Sequence, residues 1–141
     1  MKTLLASVAT IVISLFSMQA VAEKKLQPET LEGTTRISAE QVFELVEEHD
    51  DLVIIDSRKT SDRQEGYIET SIGLQDTDTT AESLAKHLAS KTTPVIFYCN
   101  GPKCGRSANA SRVAIADGYS KIYWFRGGWE EWVAKGLPVT K

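Results

Sequence analysis

The residues with the clearest capacity for chemistry lie in one stretch, Cys99-Asn100-Gly101-Pro102-Lys103-Cys104-Gly105-Arg106-Ser107, which holds both cysteines of the 141-residue chain. The apolar run Val95-Ile96-Phe97-Tyr98 before it has strand length and strand composition. The stretch after it is rich in small residues and reads as a helix. A cysteine at the end of a strand, a Gly-rich turn and a helix N-terminus form a known kind of anion site. Successive N–H groups of such a turn can face inward, and the helix end adds a partial positive charge. Lys103 and Arg106 add full charges. All of these favour thiolate over thiol at Cys99, and Arg106 offers a planar donor fork to an anion. Cys99 is therefore the candidate nucleophile. Asn100, Gly101, Lys103, Cys104, Gly105 and Arg106 are candidate substrate-binding residues, with Ser107 in support. The plainer reading is a buried strand-end cysteine acting as a small hydrophobe.

Cys104 leaves two roles open. It can be a resolving thiol that forms a reversible bridge to Cys99, or the reactive thiol itself, being nearer the helix. A bridge between them closes a very small loop and stabilises little, which fits redox chemistry better than a structural staple.

The elements that must position these residues follow from periodicity. Ser38 and Gln41 form a capping box before Val42, Leu45 and Val46 at helical spacing. Leu52-Val53-Ile54-Ile55 ends in Asp56 and suits a strand buried on both faces. Residues 57–77 read as irregular. Thr79 and Glu82 suggest a second capping box, with Leu84 and Leu88 turned inward. Gly118 suits a helix C-terminal cap, Ile122-Tyr123-Trp124-Phe125 is a third strand, and Gly127-Gly128 opens a last short helix. Buried strands alternating with helices predict an α/β domain, a parallel sheet with helices on both faces. Ligands of such sheets bind outside the strand carboxyl ends, so Asp56 and Cys99 are expected in one crevice if their strands are neighbours. Asp56 and Arg58 are candidate supporting residues, more simply an ion pair beneath the site. Trp124, Trp129 and Trp132 read as packing, His49 and His87 as solvated, and Glu44, Glu47, Glu48 and Asp50 as a solvated helix face.

Composition bounds the rest. Lys2, the apolar run Leu4 to Ala20 and the small-residue exit Ala20-Val21-Ala22 predict a signal peptide over residues 1–22, hence export to the periplasm and no stable membrane association after cleavage. Residues 23–35 read as a linker or extended arm and 36–141 as the domain. Without residues 1–22 the chain carries 15 basic and 19 acidic residues, a poor balance for a nucleic-acid partner. Two histidines and no Cys/His cluster of zinc spacing predict no metal site.

These motifs together resemble the rhodanese-like domain family, and specifically its exported single-domain members. The strand ending in Tyr98-Cys99 with a loop closing on Arg106-Ser107 resembles the family's active-site loop. Val53-Ile54-Ile55-Asp56-Ser57-Arg58 resembles its Asp-x-Arg signature, and Gly66-Tyr67-Ile68 stands where the family has Gly-His-Ile. Gly118 through Gly128, with Trp132 beyond, resembles the closing segment. The resemblance covers Ile37 to Pro138. It implies a three-layer fold with a mostly parallel central sheet of about five strands. It also implies a sulfurtransferase in which Cys99 takes sulfur from a small anionic donor such as thiosulfate, becomes a persulfide and passes sulfur to a protein or small-molecule thiol or to cyanide. No cofactor is implied. Two departures stand out: Tyr67 replaces the usual His, and six residues separate Cys99 from Arg106, two more than in the commonest loop of the family.

Two other functions compete. A phosphatase or arsenate-reductase-like enzyme uses the same Cys-loop-Arg device, but with a different spacing and a general acid that this loop lacks. A thiol-redox or docking module would use the Cys99/Cys104 pair as a switch.

Overall fold

A computed structural model describes residues 23–141, so the expected signal peptide lies outside the described residues. Elements follow in the order β1 (Thr35–Arg36), α1 (Ala39–Glu48), β2 (Val53–Asp56), α2 (Thr60–Arg63), β3 (Tyr67–Ile68), β4 (Ile72–Gly73), α3 (Ala81–His87), β5 (Val95–Tyr98), α4 (Arg106–Ala116), β6 (Ile122–Phe125), α5 (Gly128–Ala134) and β7 (Val139–Thr140). A 3₁₀ turn, Asp76–Asp78, separates β4 from α3.

The three long apolar runs pair in parallel at the centre of the sheet, whose order is β1-β6-β5-β2-β4. Each central strand is buried on both faces, and its side chains divide by the two-residue period of a strand. Ile54, Ile96, Tyr98 and Phe125 pack with Val42, Leu45 and Trp132 on the side of α1 and α5. Ile55, Val95, Phe97 and Ile122 pack with Leu84, Ala110 and Ala114 on the side of α3 and α4. The result is three layers and two apolar cores, one on each face of a five-stranded parallel sheet, the parallel sheet being what the strand–helix alternation predicts and the three layers and strand number what the resemblance implies. Each fully buried Ile or Phe contributes about 1.5–3 kcal/mol.

Small residues set how closely α4 approaches the sheet. Ser107, Ala108, Ala110, Ser111 and Ala114 are all buried. Helix α1 carries the expected capping box: Ser38 Oγ accepts from Gln41 N at 3.3 Å, and Gln41 Oε1 accepts from Ser38 N at 2.9 Å.

Helix α3 differs by one residue from the sequence expectation. Its cap is Thr80, paired reciprocally with Ser83, because the Thr79 hydroxyl donates instead to the Gln75 carbonyl at 2.8 Å. Residues 57–77 are also more ordered than expected. They hold α2, β3 and β4, with β3 pairing antiparallel to β7 near the C-terminus.

Candidate active site

Strands β2 and β5 are hydrogen-bonded neighbours with Asp56 opposite Tyr98, so Asp56 and Cys99 do end at the same edge of the sheet. They do not share a crevice. Asp56 falls on the same face as Tyr98, and its carboxylate accepts from the Tyr98 hydroxyl at 2.8 Å. Cys99 follows the end of β5 and is bonded to Cys104 instead. The Asp56 carboxylate is closed in by Arg58, Arg63 and Tyr98 and lines no part of the cleft beside the loop, which corrects the expectation of one common crevice.

Around Asp56 the carboxylate is fully engaged. Arg58 donates to Asp56 through Nε at 2.9 Å and Nη2 at 2.7 Å, and to the Gly66 carbonyl at 2.7 Å. Arg63 adds a third cationic contact to Asp56 at 3.2 Å. The Arg58 guanidinium lies 4.5 Å from the Trp129 ring centre. Burial alone pulls the Arg58 guanidinium down from its ordinary value, but hydrogen bonding and charge from Asp56 outweigh it and the net shift is upward. Burial, and next the adjacent Asp56 carboxylate, push the Tyr98 phenol up to about 12. Asp56 and Arg58 thus form a buried clamp, 1% and 2% exposed. Between them, Ser57 Oγ is buried without a hydrogen-bond partner among the described residues, and nothing in the structure explains it.

Cys99 sits at the base of the loop and is itself 1% exposed. It is paired with Cys104 as a disulfide, with Cα atoms 6.1 Å apart. The loop is held by its carbonyls. The Cys99 and Asn100 carbonyls accept from Trp129 N and Glu130 N at 2.8 and 2.7 Å. Gly128, at a φ of 56°, is required here, since a side chain would run into the Cys99 carbonyl. On the outer side, the Pro102 carbonyl accepts from Gln27 N at 2.7 Å. The arm that carries Gln27 is in turn fixed by Arg126, whose Nε and Nη2 donate to the Pro28 and Gln27 carbonyls at 2.8 and 2.7 Å. With the loop carbonyls so occupied, the N–H groups of Gly101, Lys103 and Gly105 donate to no backbone acceptor among the described residues. The first-turn N–H groups of α4 lack intrahelical partners by geometry.

The loop opens onto a cleft of about 540 Å³ lined by Lys24, Lys59, Asp62, Asn100, Lys103, Cys104, Arg106 and Glu130. Four cations and two carboxylates line it, which suits an anion. Asn100, Lys103, Cys104 and Arg106 stand where the sequence predicts. The Asn100 amide donates to Asp62 at 3.0 Å, and Gly101 backs against the Glu130 carboxylate. Gly105 lies under the Gln27 side chain. Arg106 differs from expectation: its guanidinium is paired with Asp76 rather than turned freely into the loop, and Asn109 donates to the same carboxylate at 3.2 Å. Ser107 is structural, its hydroxyl accepting from Trp124 Nε1 at 3.0 Å.

Lys24, Lys59, Asp62, Glu130 and Asp76 are not singled out by sequence reasoning. Lys59 and Asp62 had a signal in their position just beyond a strand carboxyl end, and Glu130 in the Gly127-Gly128 pair. Asp76 had none.

The family model for the Rhodanese-like domain matches residues 38–135. The chain belongs to the rhodanese-like domain family. The Rhodanese domain-containing protein CG4456 of Drosophila melanogaster is 29% identical over 101 residues, covering 64% of this chain and 89% of that protein. Among solved structures, this rhodanese-like domain is similar to the Thiosulfate sulfurtransferase of Pseudomonas aeruginosa (TM-score 0.65, 21% identity) over 76% of this chain and 20% of that one. It also resembles the Polysulfide-sulfur Transferase homodimer of Wolinella succinogenes (TM-score 0.61, 23% identity), over 77% and 79% of the two chains. Both likenesses are likenesses of fold.

Proposed function

We propose that this rhodanese-like domain is a sulfurtransferase that carries sulfane sulfur on Cys99. The observation that carries this reading is the loop itself. Cys99 follows a buried strand at the base of a turn whose Gly101, Lys103 and Gly105 N–H groups donate to no backbone acceptor among the described residues, and the cleft beside it is lined by more cations than carboxylates.

In the donor half-reaction, the Cys99 thiolate attacks the outer sulfur of thiosulfate. A Cys99 sulfur–sulfur bond forms, the donor's sulfur–sulfur bond breaks, and sulfite leaves with the electron pair. Lys103, Arg106, Lys24 and Lys59 draw the anion in. The N–H groups of Gly101, Lys103 and Gly105 hold the persulfide anion. A thiol or cyanide then takes the outer sulfur and Cys99 leaves as thiolate. Asp56 and Arg58 support the loop from below and touch neither reactant. The N-terminal residues 1–22 direct export, so that this chemistry runs in the periplasm.

Thiocyanate formation from thiosulfate and cyanide tests the activity. It is expected to persist in Cys104→Ser and to disappear in Cys99→Ser. Turnover that survives in Cys99→Ser contradicts the assignment.

A further inference from the structure

We infer that Cys104 is the built-in acceptor of the Cys99 persulfide, so that the domain releases its sulfur as hydrosulfide and is reset by an external dithiol. This rests on the sulfurtransferase reading and specifies the fate of the sulfur.

Three observations carry the inference. The two cysteines are within bonding reach, their Cα atoms 6.1 Å apart and their sulfurs joined, inside the range that a disulfide requires. Their exposures differ. Cys99 is 1% exposed and absent from the cleft lining, whereas Cys104 is partly exposed and lines it. And the N–H groups of Gly101, Lys103 and Gly105 in the loop that joins the two cysteines donate to no backbone acceptor among the described residues, which suits the loop to hold the negative charge of a leaving thiolate.

The Cys104 thiolate attacks the inner sulfur of Cys99-S-SH. The Cys99–Cys104 bond forms, the persulfide bond breaks, and the outer sulfur departs with the electron pair as hydrosulfide. The disulfide is then reduced by a dithiol, which enters by the cleft and attacks the accessible Cys104 sulfur. Cys99 leaves as thiolate, the nucleophile needed for the next turn, because attack on the accessible Cys104 sulfur makes Cys99 the leaving group. The second thiol of the reductant completes its own disulfide and frees Cys104. In sum, thiosulfate and a dithiol give sulfite, hydrosulfide and the oxidised dithiol. The partner is a dithiol reductant, small or proteinaceous, whose attacking sulfur can enter a cationic cleft.

The test is a single-turnover experiment without oxygen. Reduced protein, freed of reductant, is mixed with excess thiosulfate, and hydrosulfide and intact mass are followed together. The wild type is expected to release one hydrosulfide per chain and to end two hydrogens lighter, with no sulfur retained. Cys104→Ser and Cys104→Ala are expected to hold one added sulfur and to release no hydrosulfide. A wild type that keeps its added sulfur and releases none overturns the inference and leaves the sulfurtransferase reading intact. If neither wild type nor the Cys104 variants takes up sulfur, the sulfurtransferase reading itself fails. Adding dithiothreitol should restore repeated hydrosulfide release in the wild type, at several times the rate in Cys104→Ser. Equal rates would also overturn the inference.

Discussion

The ends of two adjacent strands, one residue apart in register, do opposite things. At the end of β2, Asp56 is closed in by Arg58, Arg63 and Tyr98. At the end of β5, Cys99 is followed by a turn whose Gly101, Lys103 and Gly105 N–H groups donate to no backbone acceptor among the described residues and whose mouth is cationic. Both positions are buried to the same degree, 1% exposed. Burial therefore does not separate a clamp from a reactive site. What separates them is whether the polar groups around the buried atom already have partners. The first region should govern stability, the second activity.

Breaking the clamp should give the largest effect. Asp56→Ala strands the Arg58 cation in the fold and is expected to cost about 3–5 kcal/mol, read as a fall in the urea midpoint. Replacing Asp56 and Arg58 together with apolar residues should cost less than the single change. A single change that leaves the midpoint unmoved would remove the contrast between the two regions.

Gly128→Ala sits between the two regimes. It forces a side chain at positive φ against the Cys99 carbonyl, with an expected loss of about 1–3 kcal/mol. Because that carbonyl anchors the loop, sulfur uptake measured well below the melting point should also slow several-fold. Lost stability with full uptake would show that the loop does not depend on α5.

Tyr98→Phe removes hydrogen bonds to Asp56, Ile68 N and Ser71, worth about 1–3 kcal/mol, and changes the alkaline limb of stability. The native phenol holds its proton up to about 12, above the ordinary phenol value of about 10. Its contribution is thus fully present below about pH 10 and is lost as pH rises through about 12. Denaturation curves between those values should fall more steeply for the wild type than for the variant.

The smallest effect on the fold is expected at the cleft. Lys103→Ala should leave stability within about 0.5 kcal/mol while raising the KM for thiosulfate several-fold at low ionic strength. The difference should shrink with added salt as the charges are screened.

The central sheet and the reactive loop were legible because each rests on a local pattern. Val95–Tyr98 is apolar for its whole length, and Cys99 to Ser107 carries its chemistry in contiguous residues. The two-residue strands β1, β3, β4 and β7 were not, since a period of two cannot be read from two residues. Thr79 and Thr80 are equally suited to cap α3, and only the tertiary bond from Thr79 to Gln75 chooses between them. The Arg106–Asp76 pair spans 30 residues and leaves no local trace. The shared crevice expected for Asp56 and Cys99 failed because Tyr98 and Arg63 join Arg58 in closing over the Asp56 carboxylate, contacts that the strand pattern does not announce.

The most direct test of the account is intact mass of reduced Cys104→Ser and reduced Cys99→Ser after thiosulfate. The account predicts that Cys104→Ser gains one sulfur, lost again on adding cyanide, and that Cys99→Ser gains none. Uptake in Cys99→Ser with none in Cys104→Ser would contradict it and move the chemistry to the other thiol.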